Sequence, residues 1–414
     1  MGLSAYPLLD FIGLVDHEVT LSDGTTETRT IKVTRNAAAS IAMASAEIPY
    51  RSAVSLLERL AGFDIDAMTA HRVVDSVGAE FIKAVPVIDE RSVAEMTEKF
   101  AGNKLVKRME GLRNSGNVAE IIEKALKDGP EGVLKEDYKG PTIKAMYIES
   151  DGTGVPGRHE ELAGVQGKQA DGSAKTFEAK VVTVFIVEYT VDGRPLLTKG
   201  GEIYRDKRVM YSGTIWRVDD FGRMLYQFVL DCGLKDVDAV VFLGDGAKWV
   251  WGICEKYFPY ALVSLDLYHA IEKIGPMVNN LSFVGSSGAK KKERFTEDCV
   301  QLLKQGKVSD MISLIEKQHR WKGNEAKLQD ALDYFRNNAD RMEYGPFTAL
   351  GIYVGSGVIE AGVKVIVGDR MKNAGMHWKK DCANKMIALR CAIRNGEFLK
   401  SYLSNHAEPR NRAA

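Results

Sequence analysis

The order of predicted strands and helices between residues 143 and 265 constrains the fold of this chain more than any other feature. Three apolar, β-branched segments come first, at residues 143–148, 179–189 and 195–204. A helical pattern, a strand, a helix and a last strand follow, over residues 215–229, 239–243, from 247 onward, and 261–265. A doubly wound sheet alternates strands and helices from the start. Three strands in succession instead predict an α/β fold with a mixed five-stranded sheet, of the RNase H-like kind.

Other segments surround this predicted core, whose first part is residues 141–270. Residues 1–90 hold apolar positions at helical spacing on both sides of a break at Gly62, which is typical of a helix-turn-helix-like domain. Such a domain either binds DNA or serves packing alone. Residues 91–140, rich in charge and glycine, are predicted to be a linker or extension. A helical insertion and a C-terminal helical part of the core are predicted for residues 271–346 and 347–414.

Charge is balanced over the whole chain but not along it. Among 414 residues, lysine plus arginine and aspartate plus glutamate number 56 each, so the net charge is zero. This balance weighs against a nucleic-acid binder, since phosphate neutralisation normally requires a basic excess. Residues 360–400, however, hold nine basic residues against four acidic ones. This segment is either a solvated helical face or a surface that contacts phosphate.

Cysteine spacing and hydropathy argue against several classes of protein. The five cysteines are widely separated and form no Cys-x-x-Cys pair, which argues against a disulfide framework and a cysteine zinc site. No basic segment followed by a long apolar run stands near residue 1, so no signal peptide is expected. No apolar stretch reaches the ~18 residues that a membrane-spanning helix needs. We therefore expect a cytoplasmic protein with no membrane partner.

Three acidic residues stand beside the predicted elements of the core. Asp151 follows the first strand, Asp245 follows the fourth, and Glu360 lies near the start of a late helix. Phosphoryl transfer assisted by two Mg²⁺ ions requires carboxylates that converge from separate elements. Two strand ends and one helix are able to supply them. Asp151, Asp245 and Glu360 are therefore the candidate metal-binding catalytic residues.

Each of these residues also has a simpler interpretation. An Asp-Gly pair after a strand, as at Asp151 and Asp245, is most often a turn. Glu360 is spaced to pair with Lys364 one helical turn later. The combination of the three acids, in this order and on these elements, favours the catalytic interpretation.

Five short motifs resemble bacterial insertion-sequence transposases. They are Ser150-Asp-Gly-Thr-Gly-Val-Pro156, Gly244-Asp-Gly-Ala-Lys-Trp249, Asp266-Leu-Tyr-His-Ala270, Gly355-Ser-Gly-Val-Ile-Glu360 and Asp369-Arg-Met-Lys-Asn-Ala-Gly-Met-His-Trp378. In particular they resemble the Kra-type insertion-sequence family, related to Mutator-like transposases. The resemblance implies a DDE transposase whose triad, Asp151, Asp245 and Glu360, binds two Mg²⁺ or Mn²⁺ ions. It also implies that the substrate is double-stranded DNA, both as element ends and as target. The enzyme is by the same resemblance expected to be a homo-oligomer that associates with the nucleoid.

Further residues are candidates for positioning the ligands or contacting DNA. Asp266 and His269 match the [C/D]-x-x-H signature of that family; a zinc site would need two more ligands, and none stands at suitable spacing. His269 is otherwise a packed histidine. Trp249, next to Lys248, suits either core packing or stacking on an unpaired base. The remaining candidates are Arg370, Lys372, Trp378, and, in the predicted insertion, Lys290, Lys291, Lys292 and Trp321.

The motifs together predict a transposase that hydrolyses DNA at element ends and joins the 3′ end to a target. A structure-selective nuclease on the same fold would cut without joining. A domesticated transposase would bind DNA without cutting. The complete set of three acids favours the active enzyme.

Overall fold

A computed structural model of the protein describes residues 12–20, 26–167, 169–170, 172–206, 208–283, 288–318 and 325–404. Two antiparallel strands, β1 (Ile12–Thr20) and β2 (Thr26–Thr34), precede three helices. The helices are α1 (Arg35–Glu47), α2 (Tyr50–Ala61) and α3 (Ala67–Ala79). Thr34 and Asp66 cap α1 and α3, because each side chain accepts a backbone N–H of the first turn. Gly62 ends α2 with a positive φ of 67°.

The expected linker over residues 91–140 is instead helical. It contains α4 (Glu90–Phe100), α5 (Lys104–Arg113) and α6 (Val118–Asp128). Met96 and Phe100 of α4 and Met109 of α5 are buried in the protein's core. Charged residues dominate the exposed faces of these helices, and each helix has only a narrow apolar stripe. In the sequence the stripe is a weaker signal than the charge, so the prediction of a linker was wrong.

A mixed five-stranded sheet forms the centre of the α/β fold, as the strand order predicted. The elements from residue 133 to residue 265 are β3 (Val133–Leu134), β4 (Thr142–Pro156), α7 (His159–Leu162), β5 (Thr176–Thr190), β6 (Leu196–Leu197), β7 (Met210–Thr214), α8 (Val218–Asp231), β8 (Ala239–Gly244), α9 (Lys248–Tyr257) and β9 (Leu262–Leu265). The order across the sheet is β7-β5-β4-β8-β9. β5 is antiparallel to β4 and β7, whereas β4, β8 and β9 run parallel.

The third strand of this sheet is β7, not the segment at residues 195–204. That segment folds back on itself: Gly201 turns the chain with a φ of 81°, and Leu197 bridges to Ile203. Within it, β6 pairs with the two-residue strand β3, outside the main sheet. The prediction was wrong here because a local turn at Gly200-Gly201 interrupts an otherwise apolar run.

Helices make up most of the chain after β9. They are α10 (Leu267–Asn279), α11 (Gly288–Lys304), α12 (Val308–Lys317), α13 (Glu325–Asn337), α14 (Tyr344–Ala349), α15 (Gly357–Val363), α16 (Asp369–Met371), α17 (Lys380–Arg394) and α18 (Phe398–Ser404). A π-helical stretch, Lys364–Gly368, joins α15 to α16. Helices α10 to α13 contribute to the same hydrophobic core as α8 and α9. Trp321 lies outside the described residues.

Both faces of the sheet are covered. Met146 and Ile148 of β4 pack into one core with α8 and α9, while Ala145 and Tyr147 face a second core that includes α5 and α14. This alternation follows from the two-residue period of a strand. In the described part of the chain, no helix has both the length and the hydropathy required to span a membrane.

A third core joins the N-terminal helices to the C-terminal ones. Val73 of α3, Val181 of β5 and Ile387 of α17 belong to the same buried cluster. Asp75 and Lys385 form an ion pair across it, with the carboxylate oxygen 2.9 Å from Nζ. Helices α1 to α3 therefore share their hydrophobic core with the sheet and with α17.

Helix α17 also covers the free edge of β7. Asn395 accepts the backbone N–H of Tyr211 at 2.8 Å and donates to its carbonyl oxygen at 2.9 Å. Asn384, three helical turns earlier, accepts the N–H of Ile215 at 2.9 Å. The two amide side chains thus make the hydrogen bonds that a neighbouring strand would otherwise make, and covering an edge strand in this way protects the sheet from pairing with other chains.

Candidate metal centre

Three aspartates follow the last paired residues of neighbouring parallel strands. Ser150 of β4 pairs with Gly244 of β8, and Gly244 in turn pairs with Leu265 of β9. The residues that come next on the three strands are Asp151, Asp245 and Asp266. Parallel strands lie about 4.8 Å apart. The carboxyl ends of these strands therefore gather three acidic side chains at one edge of the sheet.

Asp151 and Asp245 line one small cleft. The cleft has a volume of about 220 Å³, and His269, Ser356 and Ile359 also line it. Asp151 Oδ1 accepts the N–H of its neighbour Gly152 at 2.6 Å, and Asp245 Oδ1 accepts the N–H of Ala247 at 2.9 Å. Each aspartate thus has one oxygen fixed by the backbone.

Glu360, on α15, lies close to His269, which lines this cleft. Its carboxylate accepts a hydrogen bond from the Ser356 hydroxyl at 2.8 Å. Ligand atoms of Glu360, Asp266 and His269 all lie within 4.8 Å of one another. Helix α15 packs closely on the sheet at Gly362, where an added Cβ would lie 2.6 Å from the Thr183 methyl carbon. A glycine at this position lets the helix approach β5, the strand next to the one that carries Asp151.

Asp266 links His269 to the loop before α15. It is fully buried, and its Oδ1 accepts both the backbone N–H of His269 at 2.6 Å and the ring Nδ1–H at 2.9 Å. Its Oδ2 accepts the N–H of Ser356 at 2.5 Å. Burial favours the neutral acid, but these hydrogen bonds outweigh it and lower the pKa of Asp266. Asp266 has no exposed surface, and its two oxygens hold His269 and Ser356 in place.

The surroundings of His269 favour its protonated form. The hydrogen bond to Asp266 raises the pKa of His269 to about 9, against the opposing effect of its partial burial. The charges of Asp245 and Asp151 raise it further. Both causes are negative charges close to His269.

Glu149 is a buried carboxylate that the sequence analysis missed. It lies two residues before Asp151 on β4, on the same strand face, and is fully buried. Its Oε2 accepts the backbone N–H of Ile359 at 2.7 Å, while its Oε1 has no partner among the described residues. Burial raises the pKa of Glu149 to about 8. The signal available in the sequence was a charged residue inside the apolar run of a central strand.

Among the described residues, Asp266, His269 and Glu360 form a group that could hold a metal ion, since one ligand atom of each lies within 4.8 Å of the others. Asp151 and Asp245 border the same cleft as His269 but do not belong to this group. Burial first, and the nearby charge of Asp245 second, raise the pKa of Asp151. A bound cation would offset the negative charge of the aspartates, the same charge that raises the pKa of His269. The structure therefore contains an acidic and histidine group suited to metal binding.

Two further candidates flank Asp151. Trp249 is half-buried; its ring packs edge-on against Phe221 with centroids 5.8 Å apart. One edge of that ring also borders Gly152, where an added Cβ would lie 3.4 Å away. Lys372 is exposed, and its Nζ donates to the Thr153 hydroxyl. Trp249 and Lys372 are thus adjacent to the cleft and partly open to solvent.

Arg370 and Trp378, by contrast, do not face solvent. Arg370 is fully buried; its Nε donates to the carbonyl of Ser45 at 2.7 Å, and its guanidinium lies 5.1 Å from the centre of the Trp378 ring. It also lies 4.9 Å from the ring centre of Tyr50. Both residues were candidates for positioning the ligands or contacting DNA. In the structure, Arg370 joins α16 to Ser45 of α1 and Tyr50 of α2, and the ring of Trp378 packs against its guanidinium.

The other basic candidates lie on helix surfaces. Lys248 is exposed at the start of α9. Lys290 and Lys291 are exposed near the start of α11, whereas Lys292 is half-buried and donates to the Asn279 side chain. The structure thus places Asp151 and Asp245 beside His269 in one cleft, and Glu360 beside Asp266 and His269, and it leaves Lys248, Lys290 and Lys291 on the surface. None of the known family models matches this chain, and no curated protein matches it significantly.

Proposed function

We propose that this protein is a DNA transposase with an RNase H-like core that cuts and joins DNA through Asp151, Asp245 and Glu360. The observation that carries the proposal is the position of Asp151 and Asp245 at neighbouring strand ends beside one cleft, with Glu360 reaching His269 of that cleft from a late helix. The sheet order, with three antiparallel strands followed by two parallel ones, is compatible with that core.

The chemistry fits an acidic cleft of this kind. Two Mg²⁺ or Mn²⁺ ions held by the triad would polarise a phosphate ester and stabilise the oxygens that attack and leave. Asp266 orients His269, which lines the cleft beside Asp151 and Asp245. Lys372, beside Asp151, is placed to contact a phosphate of the DNA backbone. Trp249 offers a ring edge for an unpaired base.

The partners follow from this reaction. We propose element-end and target DNA as substrates, and a homo-oligomer as the form that brings two ends together. Arg51 and Arg59, exposed on α2, and the α11 lysines are proposed contacts to the DNA backbone. The cytoplasm, at the nucleoid, is the corresponding place of action.

The test is metal-dependent cleavage and joining by purified full-length protein. The DNA is a duplex that carries the inverted repeat flanking the gene, mixed with supercoiled plasmid as target. We expect nicked and joined products with Mn²⁺ or Mg²⁺ and none with excess chelator. D151N, D245N and E360Q should each reduce both products at least 100-fold, while D64N, at an exposed aspartate on the loop after α2, should not.

Each outcome discriminates between functions. Cleavage without joined product would identify a nuclease in place of a transposase. Tight DNA binding without cleavage under any metal would indicate a domesticated derivative. Cleavage that persists in all three triad variants would overturn the assignment of the site.

A further inference from the structure

Two buried carboxylates hold the first turn of α15. Glu149 accepts the N–H of Ile359 at 2.7 Å, and Asp266 accepts the N–H of Ser356 at 2.5 Å. The first N–H groups of a helix have no partner within the helix and need one from outside. Glu360 comes directly after Ile359. The two carboxylates therefore fix the backbone immediately before the third acid of the triad.

We infer that Glu149 is a positioning residue that orients α15 so that Glu360 reaches the metal centre; this rests on the proposed function. Glu149 and Ile359 are 210 residues apart in sequence. Through this bond, the strand that carries Asp151 also anchors the helix that carries Glu360. One strand thus sets the geometry of two of the three acids.

Packing alone does not explain a glutamate at this position. Its side chain is fully buried, and one of its two carboxylate oxygens has no partner among the described residues. Removing a carboxylate from water is costly, and an apolar residue of similar volume is the cheaper way to fill an interior. Thr183, which pairs with Glu149 on β5, is equally buried but makes no hydrogen bond to α15. The feature that distinguishes Glu149 is its bond to Ile359.

The test measures Mn²⁺ affinity by calorimetry in the full-length protein, without DNA. E149L removes the acceptor and keeps the volume, and it should weaken Mn²⁺ binding about tenfold, as is common when a residue behind a metal ligand is replaced. E149Q keeps an acceptor oxygen for Ile359 and should restore the affinity to within about twofold of wild type. T183V is the matched control at the same depth and should bind Mn²⁺ as wild type does.

A double-mutant cycle shows whether Glu149 acts through Glu360. In an E360Q background, the added E149L change should have no further effect on Mn²⁺ affinity, because the ligand it positions is already lost. Additive losses would overturn the inference, and so would wild-type affinity in E149L. If neither E360Q nor D151N weakens Mn²⁺ binding, the proposed metal centre itself fails, which is a separate result.

A shorter acid provides a second route if E149L does not fold. E149D keeps the carboxyl group but retracts the acceptor by one methylene, so it should lose Mn²⁺ affinity while E149Q does not. Amide hydrogen exchange of the segment 355–363 should be faster in E149D than in E149Q. Equal exchange and equal affinity in the two variants would contradict the inference.

Discussion

At the scale of single residues, the cleft is organised around His269. Its ring bonds to Asp266, and the charges of Asp245 and Asp151 act on it as well. A ligand atom of Glu360 lies within 4.8 Å of a ring nitrogen. In the absence of a metal ion, a proton on His269 offsets part of the negative charge of this acidic cluster. The pKa of His269 therefore reflects the electrostatic field in the site.

We predict that His269 titrates near pH 9 in protein freed of metal by a chelator. D266N should lower this midpoint towards the ordinary value of 6.5, because the main hydrogen bond is weakened. Added Mg²⁺ should lower the midpoint of His269 in wild type, because the bound cation offsets the negative charge that raises this pKa. Histidine ring resonances in an NMR pH titration measure all three midpoints; a wild-type midpoint near 6.5 without metal would contradict the prediction.

The same shift predicts how stability depends on pH. The pKa of His269 is higher in the folded protein than in the unfolded chain, so its contribution to stability is complete below about pH 6.5 and is lost as the pH rises through about 9. The free energy of unfolding in urea, measured for metal-free protein, should therefore be lower at pH 9.5 than at pH 6.5. In H269N this fall should be smaller.

At the scale of elements, α11 presents charge on the surface of the region between β9 and α15. Lys290 and Lys291 are exposed, and Lys292 is already hydrogen-bonded to Asn279. Cys299 and Leu303 of the same helix are buried in the core shared with α8 and α9. One face of α11 is thus structural, and its N-terminal end is available for contact with DNA.

We predict that changing Lys290, Lys291 and Lys292 together to alanine weakens binding of duplex DNA. Each lysine that neutralises a phosphate contributes about 0.9 to the slope of log affinity against log salt, so two exposed lysines should flatten that slope by about two. Mn²⁺ affinity should stay unchanged. The control is K124A/K127A, two exposed lysines of α6. An unaltered slope in the triple variant would remove α11 from the DNA path.

Patterns in the sequence were sufficient to predict the central elements of the fold, but not the elements that depend on contacts between distant parts of the chain. The strands that contain Tyr147, Val184 and Val241 are long apolar runs with both faces buried, and such runs are visible without a structure. Strand β7 contains Ser212 and Gly213, and it is a strand because it pairs with β5 and is covered by α17. Glu149 is visible in the sequence as a charged residue inside an apolar run, but its role is not, because its partner Ile359 lies 210 residues away and leaves no local pattern.

At the scale of the whole molecule, the N-terminal and C-terminal helices form one structural unit. Arg370 of α16 bonds to the carbonyl of Ser45 in α1, and Lys385 of α17 pairs with Asp75 of α3. Their apolar residues lie in a single buried cluster. The helices of residues 1–90 were expected to be a domain of their own, but their core is completed by α17.

We predict that a fragment of residues 1–90 does not fold alone, because it lacks the apolar surface of α17 that covers α3. Its circular dichroism should show little helix and no cooperative thermal unfolding. A peptide of residues 369–404 added in excess should restore helical signal, since it supplies the missing part of the core. A fragment that unfolds cooperatively by itself would contradict the prediction.

The cover on the edge of β7 has a consequence for the newly made chain. Tyr211 emerges from the ribosome 184 residues before Asn395, the side chain that closes its backbone groups. At 5–20 residues per second, translation of that interval takes roughly 10 to 40 s. During this time the outer edge of β7 has unpaired N–H and C=O groups that are able to pair with strands of other nascent chains. The β7 edge of the sheet is therefore among the last parts of the molecule to be protected from aggregation.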